Sequence, residues 1–190
     1  MKMVIQSLVA FCIGMAAAGA AETGLSVRQE GVQLVVEGWL KTHADADTAW
    51  AVLTDYPRFP EFVPGMLANR VLETAGGVTR LEQRGEVVSG AFRLVYAGQV
   101  RVVENPGKGL DIQFLSGPFK DTRGEWNVEG GKPLKLLYRM RMDLTRSPFP
   151  PPLAPAIAEQ QVRTWVEVFG REMERQMDPR EQQKRKAKPS

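Results

Sequence analysis

The sequence predicts an α+β fold in which a curled, seven-stranded antiparallel sheet packs against one long C-terminal helix. Two short helices follow the first strand. Three observations support this prediction: a proline-punctuated segment at residues 44–66, a series of strand-like runs joined by turn dipeptides, and an amphipathic pattern near the C-terminus. Connections this short join antiparallel strands, because parallel strands need longer crossovers.

The first 21 residues have the pattern of a secretory signal peptide. Lys2 precedes an apolar run over residues 4–15, and small side chains at residues 18–21 offer a cleavage site. We therefore expect residues 1–21 to be removed and the protein to be periplasmic, with an uncleaved inner-membrane anchor as the alternative. The one cysteine, Cys12, lies in this run. A mature chain would then have no disulfide, thiolate metal site or cysteine nucleophile.

The first predicted strand and the two short helices follow the leader. Residues 32–41 alternate between apolar and polar side chains, which is typical of a half-buried strand. Asp45 then caps a helix over residues 46–53, because its carboxylate can accept hydrogen bonds from the free amides of the first turn. Pro57 ends this helix, since the residue before a proline disfavours the α conformation. A second short helix closes at Pro64 and Gly65.

Six further strand-like runs follow, separated by turn-favouring pairs of residues. Within the runs, apolar side chains alternate with polar or charged ones, so that the sheet has one apolar face that must be covered. The runs are residues 67–74, 78–87, 92–103, 109–115, 122–129 and 134–145.

A C-terminal helix of about twenty residues is predicted to cover the apolar face of the sheet. It begins after a proline-rich linker at residues 147–155, which cannot continue a strand. Glu159, Arg163, Glu167 and Arg171 form an i, i+4 ladder of alternating charge that marks the solvent-exposed side. The predicted domain therefore extends over residues 22–177.

Residues 178–190 form a basic tail. Five basic side chains stand against two acidic ones, so the tail carries a net charge of +3, equal to that of the whole chain. The folded part is consequently near neutral and shows no charge pattern for nucleic-acid binding. The composition of the tail predicts a solvated, disordered segment.

Three segments resemble the START-like helix-grip (SRPBCC) superfamily: residues 49–66 (AWAVLTDYPRFPEFVPGM), residues 117–128 (GPFKDTRGEWNV) and the final helix with its proline-rich lead. Within the superfamily, the chain is similar to the polyketide cyclase/dehydrase and coenzyme Q-binding group over roughly residues 32–175. The resemblance implies a cavity between the sheet and the C-terminal helix for a lipid, quinone or isoprenoid-like molecule. Some members of the superfamily carry or sense such ligands, and others catalyse cyclisation or dehydration.

The residues themselves also favour a cavity, with ordinary core packing as the alternative. Two tyrosines bring hydroxyl groups that need partners when buried, and methionines adapt to ligands of variable shape. Residues near Pro64 and Gly65 are predicted to form a movable mouth. The predicted cavity residues are Phe62, Val63, Met66, Leu81, Leu94, Tyr96, Phe114, Trp126, Tyr138, Met140, Met142, Val162, Trp165 and Phe169.

The sequence lacks a recognisable catalytic constellation. His43, the one histidine, is expected to be a solvated loop residue and not a triad base. The acidic side chains around the small helices are interpreted as caps and surface charges, with Asp55 as the best exception. We expect no metal and no cofactor.

The sequence thus predicts a monomer that binds or carries a hydrophobic small molecule, with transient membrane contact and no nucleic-acid partner. One alternative is a cyclase or dehydratase that uses Tyr96 or Tyr138 with a buried carboxylate or arginine as a proton relay. Another is an envelope interaction module that uses the basic tail.

Overall fold

In the computed structural model, which describes residues 22–177, one eight-stranded antiparallel sheet packs against a long C-terminal helix. The strands are β1 (Glu22–Glu30), β2 (Gln33–Thr42), β3 (Met66–Ala75), β4 (Val78–Ser89), β5 (Phe92–Asn105), β6 (Gly109–Phe114), β7 (Arg123–Gly130) and β8 (Leu134–Asp143). The helices are α1 (Ala46–Thr54), α2 (Phe59–Phe62) and α3 (Ala154–Met177), with short 3₁₀ turns at Tyr56–Arg58 and Leu144–Arg146.

The strand order is β1-β2-β8-β7-β6-β5-β4-β3. Strands β3 to β8 form a meander of neighbouring antiparallel hairpins, and β2 returns to pair with β8. The short helices α1 and α2 therefore connect β2 with β3, the strand at the far edge. This arrangement confirms the predicted α+β helix-grip fold.

The predicted number of seven strands was wrong, because β1 was missed. Its sequence, ETGLSVRQE, alternates weakly, and the strand lies at the edge of the sheet with most of its residues exposed or half-buried. A tight turn around Gly31, whose φ is +61°, joins it to β2. An edge strand pairs with a single neighbouring strand and stays largely exposed to solvent, so its sequence needs no strong apolar pattern.

Several boundaries differ from the prediction by one or two residues or more, and two of these differences have a clear local cause. Strand β8 ends at Asp143, whose carboxylate accepts a hydrogen bond from the Thr145 amide at 2.9 Å and starts a 3₁₀ turn. Helix α3 begins at Ala154, inside the predicted linker. Pro155 is tolerated there because the amides of a first helical turn have no intrahelical partner.

The core lies between the inner face of the sheet and α3. Leu34, Val36 and Leu136 are fully buried on the sheet side. Gly38 of β2 lets the helix approach closely, because a Cβ atom at this position would lie 2.8 Å from Val166 Cγ1. The predicted charged ladder lies on the opposite side of α3, with ion pairs from Arg163 to Glu159 at 2.7 Å and from Arg171 to Glu167 at 4.0 Å.

The predicted signal segment and basic tail, residues 1–21 and 178–190, lie outside the described residues and stay predictions. Between residues 22 and 177, none of the helices combines the length and the apolar character needed to cross a membrane.

Candidate functional site

A cavity lies between the inner face of the sheet and α3, with an empty volume of about 610 Å³ that includes its open mouth. The wall is formed by the turn after α2, by strands β3, β4, β5, β6 and β8, by the segment before β7, by the segment after β8, and by α3. The lining residues are Val63, Pro64, Met66, Gln83, Glu86, Val87, Tyr96, Phe114, Phe119, Thr122, Met140, Met142, Phe149, Ala158, Gln161 and Trp165.

Two further spaces adjoin this cavity. One, of about 460 Å³, shares Val63, Met66, Gln83, Phe114 and Trp165 with it and adds Phe59, Ile112, Trp126, Tyr138 and Phe169. Another, of about 320 Å³, continues under α1 and is lined by Leu53, Tyr56, Phe59, Leu81, Gln83, Val100, Val102, Leu110, Ile112, Trp126 and Phe169. Gln83 lines all three, so the spaces adjoin one another around this side chain.

Eleven of the fourteen predicted cavity residues line one or another of these spaces. The other three pack beside them. Phe62 packs edge-to-face against Phe59 and Phe169, Val162 lies on Gly38, and Leu94 packs half-buried against the core. Whether any of the fourteen touches a ligand stays a prediction.

Sequence reasoning missed the polar part of the cavity wall. Gln83 is only 9% exposed, and within residues 22–177 its amide has no hydrogen-bond partner. Thr122 is also buried, and Gln161 is half-buried on α3. The strand period could have revealed Gln83, because it shares its face of β4 with the buried Leu81 and Val87.

The two tyrosine hydroxyls in the cavity are neutral donors. Tyr138 is 2% exposed and stacks between Trp126 and Trp165, at ring-centroid distances of 4.9 and 5.5 Å. Burial raises the pKa of Tyr138 and that of Tyr96. In the part of the chain that the structure describes, neither hydroxyl has a hydrogen-bond partner. Both phenols therefore stay protonated at physiological pH and are suited to bonding with a ligand oxygen.

Charged groups are scarce around the cavity. Among the described residues that line the main space, Glu86 is the one carboxylate, and Arg93 already binds it through two nitrogens at 2.6 and 2.9 Å.

His43 has a side chain that is 70% exposed and lies 3.5 Å from Glu174, as expected of a solvated loop residue. The predicted cap Asp45 accepts a hydrogen bond from the Thr48 amide at 2.7 Å.

One aromatic side chain joins the small helices, the sheet and α3 at the inner end of the cavity. The ring of Phe169 lies 5.2 Å from that of Phe59, 5.3 Å from Phe62 and 5.5 Å from Trp126, measured between centroids and with edge-to-face geometry. Such pairs stabilise by about 0.5–1.5 kcal/mol each beyond area burial. Phe169 therefore fixes α2, and with it the turn that borders the cavity.

That turn is also attached to the sheet. The Glu86 amide donates to the Gly65 carbonyl at 2.7 Å, and Gly65 has a φ of +78° that few other residues adopt. Arg58 links the small helices to α3, since it contacts Asp55 at 3.2 Å, Glu61 at 3.0 Å and Glu172 at 3.6 Å. Asp55 is thus part of an ion-pair network.

The buried carboxylate in this network predicts a dependence of stability on pH. The side chain of Glu172 is 4% exposed, and Arg175 and Gln176 donate to it at 2.7 and 2.9 Å. Burial alone would raise the pKa of Glu172, but these hydrogen bonds outweigh it and hold the pKa below its ordinary value of 4.5. The stabilisation is complete above that pH and is lost as the pH falls through the lowered folded-state pKa.

We therefore expect Glu172→Gln to flatten the decline in unfolding free energy that sets in as the pH falls below the ordinary carboxyl pKa of 4.5, as measured by urea titration at a series of pH values. Glu167→Gln is the matched control, because the side chain of Glu167 on the same helix is 42% exposed, against 4% for Glu172. Parallel pH profiles for wild type and E172Q would contradict the assignment.

Comparisons with known proteins agree with this architecture. Residues 42–169 match the family model described as polyketide cyclase / dehydrase and lipid transport. The solved Zhui aromatase/cyclase from Streptomyces sp. R1128 is similar in fold, with a TM-score of 0.66 and 18% identity over 78% of this chain and 98% of that one. A STAR-related lipid transfer protein from Xanthomonas axonopodis has a TM-score of 0.65 and 14% identity over 82% and 99%.

A curated relative in sequence is the ribosome association toxin RatA of Pseudomonas aeruginosa. It is 28% identical over 120 residues, which are 62% of this chain and 80% of that protein.

Proposed function

Because this chain belongs to the polyketide cyclase / dehydrase and lipid transport family, we propose that it binds and carries a hydrophobic small molecule that bears a hydrogen-bonding group. The observation that supports this most directly is the mixed wall of the cavity. Aromatic, aliphatic and methionine side chains surround the unpartnered amide of Gln83 and the hydroxyls of Tyr96 and Tyr138. A mostly apolar site with a few convergent polar groups suits a quinone, a fatty acid or an isoprenoid alcohol.

Carriage is favoured over chemistry because the polar groups of the wall are poor acids and bases. Burial keeps the two phenols protonated, and the amide of Gln83 does not titrate. Arg93 already donates two hydrogen bonds to the Glu86 side chain, at 2.6 and 2.9 Å. These groups can orient a ligand without reacting with it.

The proposed place of action is the periplasm, with residues 22–177 as the binding domain and residues 178–190 as a solvated tail. The support is the leader-like pattern of residues 1–21. A monomer with transient membrane contact would collect a ligand that dissolves poorly in water.

The second candidate is a cyclase or dehydratase that acts on a polyketide-like substrate. The specific observation in its favour is that Glu86, an ionisable residue, borders the main space next to Gly85, the strand partner of Tyr96. Under this alternative, Glu86→Gln should abolish turnover while leaving ligand affinity within about threefold of the wild-type value.

Native mass spectrometry of the purified protein, with extraction of co-purifying lipid, tests binding directly. We expect a bound species that is released by solvent and replaced by an added fatty acid or a short-chain quinone. Repeated recovery of empty protein that takes up neither probe would overturn the proposal.

A cavity-filling substitution should remove this uptake. Gln161 lines the main space from α3, so Gln161→Trp should weaken uptake of the fatty acid at least about tenfold and change the unfolding free energy by less than about 1 kcal/mol. The control is Gln160→Trp on the neighbouring, exposed position, which loses only a surface hydrogen bond with Ser89. Equal affinities in both variants would place the ligand elsewhere.

A further inference from the structure

The outer face of the sheet, opposite the face that α3 covers, carries a row of arginines that ligand carriage does not use. In the strand register, Arg101 of β5 pairs with Gln113 of β6, Gln113 with Arg123 of β7, and Arg123 with Arg141 of β8. Neighbouring strands are about 4.8 Å apart, so the row is about 14 Å long. Arg123 and Arg141 are direct cross-strand partners, so their side chains project from the same face of the sheet next to each other.

The outer face also carries a second, parallel row of charged side chains, in which the arginine is paired with carboxylates. Arg139 lies between Glu37 and Glu125, with nitrogen-oxygen distances of 2.5 and 2.6 Å, and is therefore neutralised. Within residues 22–177, Arg101, Arg123 and Arg141 have neither an ion pair nor a side-chain hydrogen bond. The positive charges of these three arginines are thus not balanced by the carboxylates of this face.

These side chains border a cleft of about 540 Å³, open mouth included. Its charged lining consists of four arginines, namely Arg101, Arg123, Arg139 and Arg141, and two carboxylates, Asp111 and Glu125. Arg101, Arg123 and Arg141 carry three positive charges on one side of the cleft, whereas Arg139, Asp111 and Glu125 together carry one negative charge. Like charges directly opposite each other on adjacent strands destabilise a sheet, so Arg123 and Arg141 repel each other unless an anion lies between them.

We propose that Arg101, Arg123 and Arg141, with the amide of Gln113, form a binding site for a phosphate group. Guanidinium groups bind phosphate oxygens in pairs of parallel hydrogen bonds. A phosphate monoester offers three terminal oxygens and nearly two negative charges, which match two adjacent guanidiniums better than the two oxygens and single charge of a carboxylate. The phosphate belongs either to a soluble small molecule or to the headgroup of a lipid. This site is separate from the inner cavity and does not depend on what the cavity binds.

Calorimetric titration of the purified chain with inorganic phosphate and pyrophosphate at low ionic strength tests the site. We expect binding that Arg123→Gln and Arg141→Gln each weaken at least tenfold, which corresponds to about 1.4 kcal/mol. The matched control is Arg84→Gln, because Arg84 is an exposed arginine of β4 outside the cleft. Absence of binding, or equal weakening by all three substitutions, would overturn the proposal.

Thermal unfolding separates binding from a merely structural role. Pyrophosphate should raise the melting temperature of the wild type and leave that of R141Q unchanged. Without pyrophosphate, R141Q should melt no lower than the wild type, since the substitution removes a repulsion. A lower melting temperature of R141Q without any anion would contradict the inference that the pair is uncompensated.

Flotation with vesicles distinguishes the two sources of phosphate. Binding to phosphatidylglycerol vesicles that is lost in R123Q/R141Q, but kept in the charge-matched R84Q/K120Q, would identify a lipid headgroup. Pyrophosphate binding without vesicle binding would identify a soluble ligand. Binding to an RNA oligomer with no response to phosphate, pyrophosphate or vesicles would overturn the proposal in favour of a nucleic-acid surface.

Discussion

Replacing Gly117 with alanine is expected to lower the unfolding free energy by about 3 kcal/mol, through two additive effects. Gly117 has a φ of +81°, and a side chain in this left-handed region costs about 1–2 kcal/mol. A Cβ atom would also lie 2.2 Å from the Ala97 carbonyl oxygen, so the backbone must move, at about 1–3 kcal/mol. Urea unfolding of the two proteins, with the m-value as a check on two-state behaviour, measures the loss.

The displacement should also reach the cavity. Phe119 follows in the same turn, and its ring lies 5.1 Å from that of Tyr96 and 5.6 Å from that of Phe149. A shift of the turn therefore moves one wall of the main space. We expect G117A to take up the fatty acid probe more weakly than wild type even where it remains folded.

Gly107→Ala is the matched control for Gly117→Ala. Gly107 has a similar φ of +74°, but nothing lies within 4 Å of the position that its Cβ would occupy. It should lose only the conformational part, about 1 kcal/mol. Equal losses of unfolding free energy in G117A and G107A would show that the backbone around Ala97 moves aside at little cost.

Phe169→Ala is expected to lower the unfolding free energy by about 4 kcal/mol, the range for a buried aromatic side chain that leaves a cavity. Phe169 is buried and is in ring contact with Phe59, Phe62 and Trp126. Its removal separates α2 from both the sheet and α3. Urea unfolding of delipidated protein is the appropriate measurement, because a bound ligand would add to the stability of either protein.

Trp165→Ala provides the comparison on the same helix face. Trp165 is half-buried, borders the open space and has one ring contact, with Tyr138 at 5.5 Å. Its truncation enlarges an existing cavity and should lower the unfolding free energy by less than half as much as F169A. If W165A is the more damaging variant, then Phe169 is not the residue that joins the three elements.

Much of the fold was predictable, because it depends on local periodicity. The alternation in β4, β5 and β8 and the helical spacing from Ala158 to Met173 determine which face each element buries. β1 was not predictable, because an exposed edge strand leaves little apolar pattern in its sequence. The beginning of α3 was misplaced because a proline is compatible with both a linker and a first helical turn.

The candidate site was predictable only in part. The aromatic and methionine positions of its wall follow from the alternation of side chains along the strands. The same alternation places Gln83 on the buried face of β4, and a polar residue on a buried face is itself a sign of a cavity or binding site. Phe119 lies in a turn, where no period indicates which side chain points inward. Thr122 directly precedes β7 and shares the parity of the buried Trp126, so the predicted strand run 122–129 already indicated its side. The sequence also did not predict the role of Glu172, since one of its ion-pair partners is Arg58, which lies more than a hundred residues earlier.

The sequence by itself determined the class of fold, the one-sided sheet and the helix that covers it, because periods of 2 and 3.6 residues are properties of neighbouring positions. Only the tertiary structure decided where space remains between sheet and helix. It also decided which polar groups face that space unpartnered, and which arginines of the outer face lack a carboxylate. These outcomes depend on strand register and on contacts between distant residues, which place Arg123 beside Arg141 and Gln83 beside Tyr96, and no local pattern encodes them.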